Sequence, residues 1–164
     1  MAGMASRPPG TPVKGAPTGS VKHVHPFEYA YTLGEAHGAF LEGLRRGVLL
    51  AGLCRRCGRR LLPPRAFCEQ CFRPIDEWAP VRDEGFVATY SISYVNTDAS
   101  RRQEPELVAV IELEQPGSGL ALLHRLGEVA PEAVRVGLKV RAVWRKEQER
   151  RGEITDILYF KPVA

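Results

Sequence analysis

A chain of 164 residues is long enough to bury one core and to carry a small metal-clamped module beside it. Its 44% hydrophobic and 26% charged residues are ordinary for a soluble globular protein, and no apolar run approaches the ~20 residues that cross a bilayer, so no membrane-spanning helix is expected. The net charge of +4 comes largely from arginines, several in pairs such as Arg45-Arg46 and Arg101-Arg102, but acidic residues are spread among them and no continuous basic block forms.

The first twenty residues are rich in Pro, Gly, Ala, Thr and Ser and lack the apolar stretch of a secretory signal, so residues 1–26 are expected to form a flexible tail. The expected compartment is the cytoplasm, where thiols stay reduced and paired cysteines serve metals more often than disulfides. Residues 27–47 are expected to be an N-terminal helical segment. Phe27, Tyr29 and Tyr31 form an apolar approach to it. Leu33, Ala36, Phe40, Leu41 and Leu44 then fall on one stripe at three- and four-residue spacing, predicting a helix from about Leu33 to Arg46. Thr32 and Glu35 fit a capping box, Arg45 and Arg46 suit the negative end of the helix dipole, and Gly47 suits a left-handed stop. The stripe Phe40, Leu41 and Leu44 is a candidate docking surface, and packing against the chain's own ribbon explains it equally.

Residues 48–82 carry the strongest motif. Cys54-Arg-Arg-Cys57 and Cys68-Glu-Gln-Cys71 are two CxxC pairs separated by ten residues, and together they contain every cysteine in the chain. Short apolar arms, Val48 to Leu53 and Leu61 to Phe67, lead into the two pairs, and Trp78 to Val81 leads out, which describes a rubredoxin-like zinc ribbon. Zn²⁺ takes four tetrahedral thiolates, and a CxxC turn lets two sulfurs converge on one ion. A redox CxxC would occur once and beside a βαβ unit, which is missing. Four protein ligands leave no position for water or substrate, so the expected zinc is structural, one per chain, and not a Lewis acid. Arg55, Arg56, Arg59 and Arg60 then serve as charge compensation for a dianionic centre, with phosphate binding as the sharper alternative.

Residues 83–164 read as β structure. Phe86 to Val95 alternates with a period of two, and four further stretches follow: Leu107 to Glu114, Leu120 to Leu126, Val136 to Lys146 and Glu153 to Phe160. Glu128 to Arg135 holds Pro131 at the start of one helical turn. Five strands with that interruption predict an OB-fold barrel, with a small sandwich as the alternative. The fold class is therefore mainly β, with an N-terminal helix, a zinc ribbon and a five-stranded barrel. Phe86, Tyr90 and Tyr94 are read as core, with a base-stacking platform as the alternative.

With the cysteines committed to metal, no thiol nucleophile remains, and GxSxG, phosphate-loop, HExxH and dinucleotide motifs are absent. His23, His25, His37 and His124 are read as structural or exposed, and Asp83, Glu84, Asp98, Glu104 and Glu106 as solvated acids, so no catalytic residue is assigned. The order of an amphipathic helix, Leu53-Cys54-Arg-Arg-Cys57-Gly58, Leu62-Pro63-Pro64-Arg65, Cys68-Glu-Gln-Cys71, Gly85 and the segment Val136-Gly137-Leu138-Lys139-Val140 resembles the zinc-ribbon and OB-fold proteins associated with acyl-CoA metabolism. That resemblance covers residues 33 to 160 and implies a non-catalytic accessory subunit of a thiolase-like catalytic partner, in a hetero-oligomer. It also implies contact with a coenzyme A thioester through that complex. The expectation from fold analogy in a different class is a single-stranded nucleic-acid-binding module.

Overall fold

The computed structural model describes residues 28–75 and 77–163, so the tail expected over 1–26, with His23 and His25, and Phe27 lie outside the described residues. The apolar stripe produces helix α1, Gly34–Arg46, with Ala36, Phe40 and Leu44 buried along it. Its end is as the sequence indicates: Gly47 sits at φ 76°, its amide donates to the Leu44 carbonyl, and the Val48 amide donates to the Gly43 carbonyl, a Schellman stop. Its start is not. Leu33, in helical conformation, precedes the first turn, no side chain caps it, and Gly34 at φ 70° turns the chain so that Thr32 and Glu35 form no capping box.

After the helix, β1 (Leu49–Leu53) is the centre of a three-stranded antiparallel sheet, flanked by β2 (Arg60–Leu61) and β5 (Trp78–Val81). Between them β3 (Phe67–Cys68) and β4 (Arg73–Pro74) form a two-stranded hairpin. The apolar arms expected before each cysteine pair are thus unequal: the first is a full strand, whereas the second is extended only at its two ends, in β2 and β3.

The remaining strands are β6 (Glu84–Val95), β7 (Arg101–Leu113), β8 (Ala121–Arg125), β9 (Lys139–Trp144) and β10 (Ile157–Pro162), in the sheet order β10-β9-β6-β7-β8. A parallel bridge between Leu126 and Phe160, with the Gly127 amide donating to the Phe160 carbonyl at 2.9 Å, brings the two outer strands together. The sheet therefore curls into a ring in which the third and fifth strands meet in parallel, and the OB-type barrel, not the sandwich, is the fold. Pro131–Ala133 supplies the short 3-10 turn between the third and fourth strands. Gly85 lies where β6 crosses β7: a Cβ there would meet the Glu112 carbonyl oxygen at 2.3 Å, so only glycine permits the approach.

One core joins these parts. Phe40 and Leu44 of α1, Leu49 and Ala51 of β1, and Val87, Ile111, Leu113, Val140 and Phe160 of the barrel belong to a single apolar cluster. The helix stripe is thereby covered by the chain itself and is not the docking surface expected of it. A second, much smaller cluster lies in the ribbon and consists of Cys54, Leu61, Cys68 and Ile75, with Cys71 and Trp78 against it.

The β6 alternation also departs from the simple period. A bulge between Val87 and Thr89 shifts the register on β7, so Phe86 faces outward opposite Glu112 while Tyr90 and Ile92 stand opposite the core residues Ala109 and Leu107. Phe86, Tyr90 and Tyr94 consequently do not share a face. Tyr90 and Tyr94 are 40% and 51% exposed, which overturns the core reading for them, and the bulge removes the three-ring stacking platform as well.

Candidate metal centre

Two knuckles with the same backbone logic build the site. In the first, β1 delivers Cys54, the Gly58 amide donates to the Cys54 carbonyl at 2.8 Å, and Gly58 takes φ 70°. In the second, β3 delivers Cys68, the Phe72 amide donates to the Cys68 carbonyl at 2.9 Å, and Phe72 takes φ 51°. Glycine adopts the left-handed region without strain, whereas Phe72 does so at a cost and with its ring 78% exposed.

The turns bring the four cysteine sulfurs within 4.8 Å of one another, the only such group of metal-ligating side chains among the described residues. Cys57 Sγ and Cys68 Sγ are 3.8 Å apart. Four thiolates about 2.3 Å from a tetrahedral ion would be separated by about 3.8 Å, so the donor set fits Zn²⁺ in chemistry and in size. The electrostatics agree. The backbone amide of Cys57 pulls the Cys54 thiol down to about 6, while hydrogen bonding to Cys57 and burial push Cys71 up to about 12. Four thiols this close cannot all ionise without a cation among them. Cys54 and Cys68 are buried, Cys71 is half-buried and Cys57 is exposed, so the four cysteines form a zinc-ribbon site whose ion would be closed to substrate.

Three of the four neighbouring arginines are engaged by carboxylates. Arg55 pairs with Glu77, Arg59 with Glu69 at 2.8 Å, and Arg60 makes a two-pronged contact with Glu114. That last pair ties β2 of the ribbon to the end of β7 in the barrel, and it holds the Glu114 carboxyl below the usual range. Four of the five acids left unassigned also have separate structural partners. Asp83 accepts from the Trp144 indole at 3.0 Å, Glu84 pairs with Arg141 and Lys139, Glu106 pairs with Arg102 and Arg125, and Asp98 accepts from Ser100. His37 is exposed on α1. His124 lies edge-on to Phe160 at 5.6 Å, and burial lowers its basicity. These groups do not converge on one point.

Sequence reasoning missed two features. One is Asp156, 1% exposed, whose carboxylate accepts from the amides of Arg151, Gly152 and Glu153. The signal was present as a Glu153–Asp156 capping box around the short 3-10 turn Ile154–Asp156, inside what reads as a continuous strand. The other is a cleft of about 540 Å³ where β8 faces β10, lined among others by Val108, Leu123, Ile154 and Leu158 together with His124, Arg125 and Arg145. Cleft residues drawn from separate elements leave no local signature.

The architecture is a rubredoxin-like zinc ribbon joined to an OB-fold barrel. Residues 41–77 match the family description "ChsH2, rubredoxin-like zinc ribbon domain" and residues 78–145 match "ChsH2, C-terminal OB-fold domain". A DUF35 domain-containing scaffold protein of Methanocaldococcus jannaschii is 34% identical over 121 residues, 72% of this chain and 84% of the relative. A protein of the same description from Methanothermobacter thermautotrophicus is 30% identical over 72% of this chain and 89% of its own length. The chain belongs to the DUF35 family of zinc-ribbon and OB-fold proteins. Among solved structures, a DUF35 protein of unknown function from Sulfolobus solfataricus superposes with a TM-score of 0.58 at 29% identity, covering 67% of this chain and 78% of that one. The Ltp2-ChsH2(DUF35) aldolase shares the fold, with a TM-score of 0.60 at 21% identity over 77% of this chain and 94% of that one.

Proposed function

We propose that the chain is a non-catalytic accessory subunit of a thiolase-like enzyme acting on acyl-CoA thioesters, with a ribbon over residues 48–82 and a barrel over 83–164 as its working parts. The observation that carries this reading is the gathering of all four cysteines at one closed metal site. Carbon–carbon bond chemistry next to a thioester requires a nucleophile and an acid-base partner, and the described residues bring no such pair together. The names of the relatives add support, being those of scaffold proteins, and one neighbour in fold is an aldolase made of Ltp2 and a DUF35 chain.

The ribbon hairpin offers Phe67 and Phe72 to a partner, both exposed. The cleft between β8 and β10, mostly apolar with Arg125 and Arg145 in its lining, suits the barrel to shape an acyl-CoA entrance. The nucleic-acid alternative has less behind it, because the arginines of the ribbon and barrel are largely matched by carboxylates rather than aligned in an open track. Among the described residues no helix is long and apolar enough to cross a membrane.

The experiment is to recover the tagged chain from its native host at moderate salt and identify what accompanies it by mass spectrometry. A thiolase-like subunit in stoichiometric amount is the expected result. Recovery of nucleic acid in its place, or full thiolase turnover by the isolated zinc-loaded chain, would overturn the proposal.

A further inference from the structure

The hairpin of β6 and β7 extends beyond the barrel, and its two edges are treated differently. On the β6 side, pairing with β9 ends at Phe86 and Lys139, followed by the exchange of hydrogen bonds between Val87 and Leu138 and between Gly137 and Val87. Beyond that point no strand of the described residues pairs with the outer edge of β6. The opposite edge, on β7, is unpaired over 101–106 and carries Arg101, Arg102, Glu104, Pro105 and Glu106, the charges and proline that discourage strand addition. The β6 edge carries none of these. Residues 88–95 read Ala-Thr-Tyr-Ser-Ile-Ser-Tyr-Val, uncharged, without proline, and rich in strand-forming types. An open edge of this composition is a template for another strand.

The sequence of the edge says which strand. Tyr90-Ser91-Ile92-Ser93-Tyr94 reads identically in both directions. An antiparallel pair formed by two copies about a two-fold axis at Ile92 sets Tyr90 of each copy opposite Tyr94 of the other. Ser91 then faces Ser93, and Ile92 faces Ile92. Every aromatic lies on one face and every serine on the other, and no like charges meet. The ladder is regular between Thr89 and Ser93, with irregularities only on either side, so the backbone at the axis is straight enough to pair. Tyr90 and Tyr94, left exposed in the single chain, would each gain a cross-strand aromatic neighbour.

We infer that residues 88–95 of β6 form a homodimer contact, an antiparallel strand pair between two copies of this chain centred on Ile92. A contact this narrow lies at the low end of specific interfaces, so the dimer is in the micromolar range. This inference is independent of which catalytic subunit the chain accompanies.

The test is sedimentation of the full zinc-loaded chain from low-micromolar to millimolar concentration, with zinc content and circular dichroism as controls for folding. The unmodified chain should pass from monomer to dimer. Ser91→Lys with Ser93→Lys places lysines opposite one another at both serine positions and should weaken association about ten-fold or more. Ser91→Lys with Ser93→Glu places unlike charges opposite one another only in the register described, and should restore the dimer. The inference is overturned by a chain that stays monomeric at millimolar concentration, by a dimer indifferent to the two lysines, or by equal dissociation of both variants. It is likewise overturned if the amides of 88–95 gain protection from exchange only when a catalytic partner is added, since the strand on this edge would then be the partner's.

Discussion

At the scale of single residues, buried Asp156 gathers the amides of residues 151–153 on one carboxylate. Burial would raise its carboxyl, but the amides of Arg151, Glu153 and Gly152 outweigh that and hold it below the ordinary aspartate value. A carboxyl depressed in the folded state contributes stability that is complete above the unfolded value of about 3.9 and is lost as pH falls through the folded value. Asp156→Ala, which leaves three amides without their acceptor, is expected to cost about 2–4 kcal/mol at neutral pH. Denaturant melts should show that difference shrinking as the pH is lowered through the folded value. Phe72 is the opposite case. Replacing it by Gly removes a left-handed strain of about 1–2 kcal/mol and adds about 0.5–1 kcal/mol of chain entropy, so stability should hold or rise slightly. Capture of a catalytic partner should fall in the same variant, because an exposed ring is lost; pull-down yield and thermal melts, read together, check the opposed signs.

At the scale of elements, the ribbon and the barrel differ in how they are held. The ribbon core is four buried residues, two of them metal ligands, so chelation of zinc is expected to collapse the amide dispersion of residues 54–75. Signals of Val87, Ile111, Val140 and Phe160, whose core contains no cysteine, should persist in the same spectrum. Helix α1 depends on the barrel: Leu44, wholly buried, is expected to cost about 2–5 kcal/mol when truncated to Ala, measured by equilibrium unfolding. The sequence displayed these elements unequally, for physical reasons. Cys54, Cys57, Cys68 and Cys71 were legible because chemistry and spacing are both local. The helix was legible from its stripe and from Gly47, but not its start, because Gly34 at positive φ removed Thr32 from capping position. The faces of Tyr90 and Tyr94 were not legible, since one extra residue at the Val87/Thr89 bulge inverts everything after it and leaves no mark in the composition.

At the scale of the whole molecule, Arg60 and Glu114 are the polar clamp between ribbon and barrel, and both are largely shielded. Arg60→Ala should leave zinc content unchanged and raise hydrogen exchange in β2 and at the end of β7, without raising it across the barrel core. The barrel itself has a consequence in time. Its ring is completed when Phe160 reaches Leu126, whereas the ribbon has all its ligands once Cys71 has been made. During synthesis the metal module can therefore mature while the barrel is still an open sheet, and Phe40 and Leu44 must wait, uncovered, for strands not yet translated. Ribosome-bound chains halted between the end of the ribbon and β10 should already hold zinc yet remain protease-sensitive throughout the barrel, a two-stage maturation written into the order of the strands.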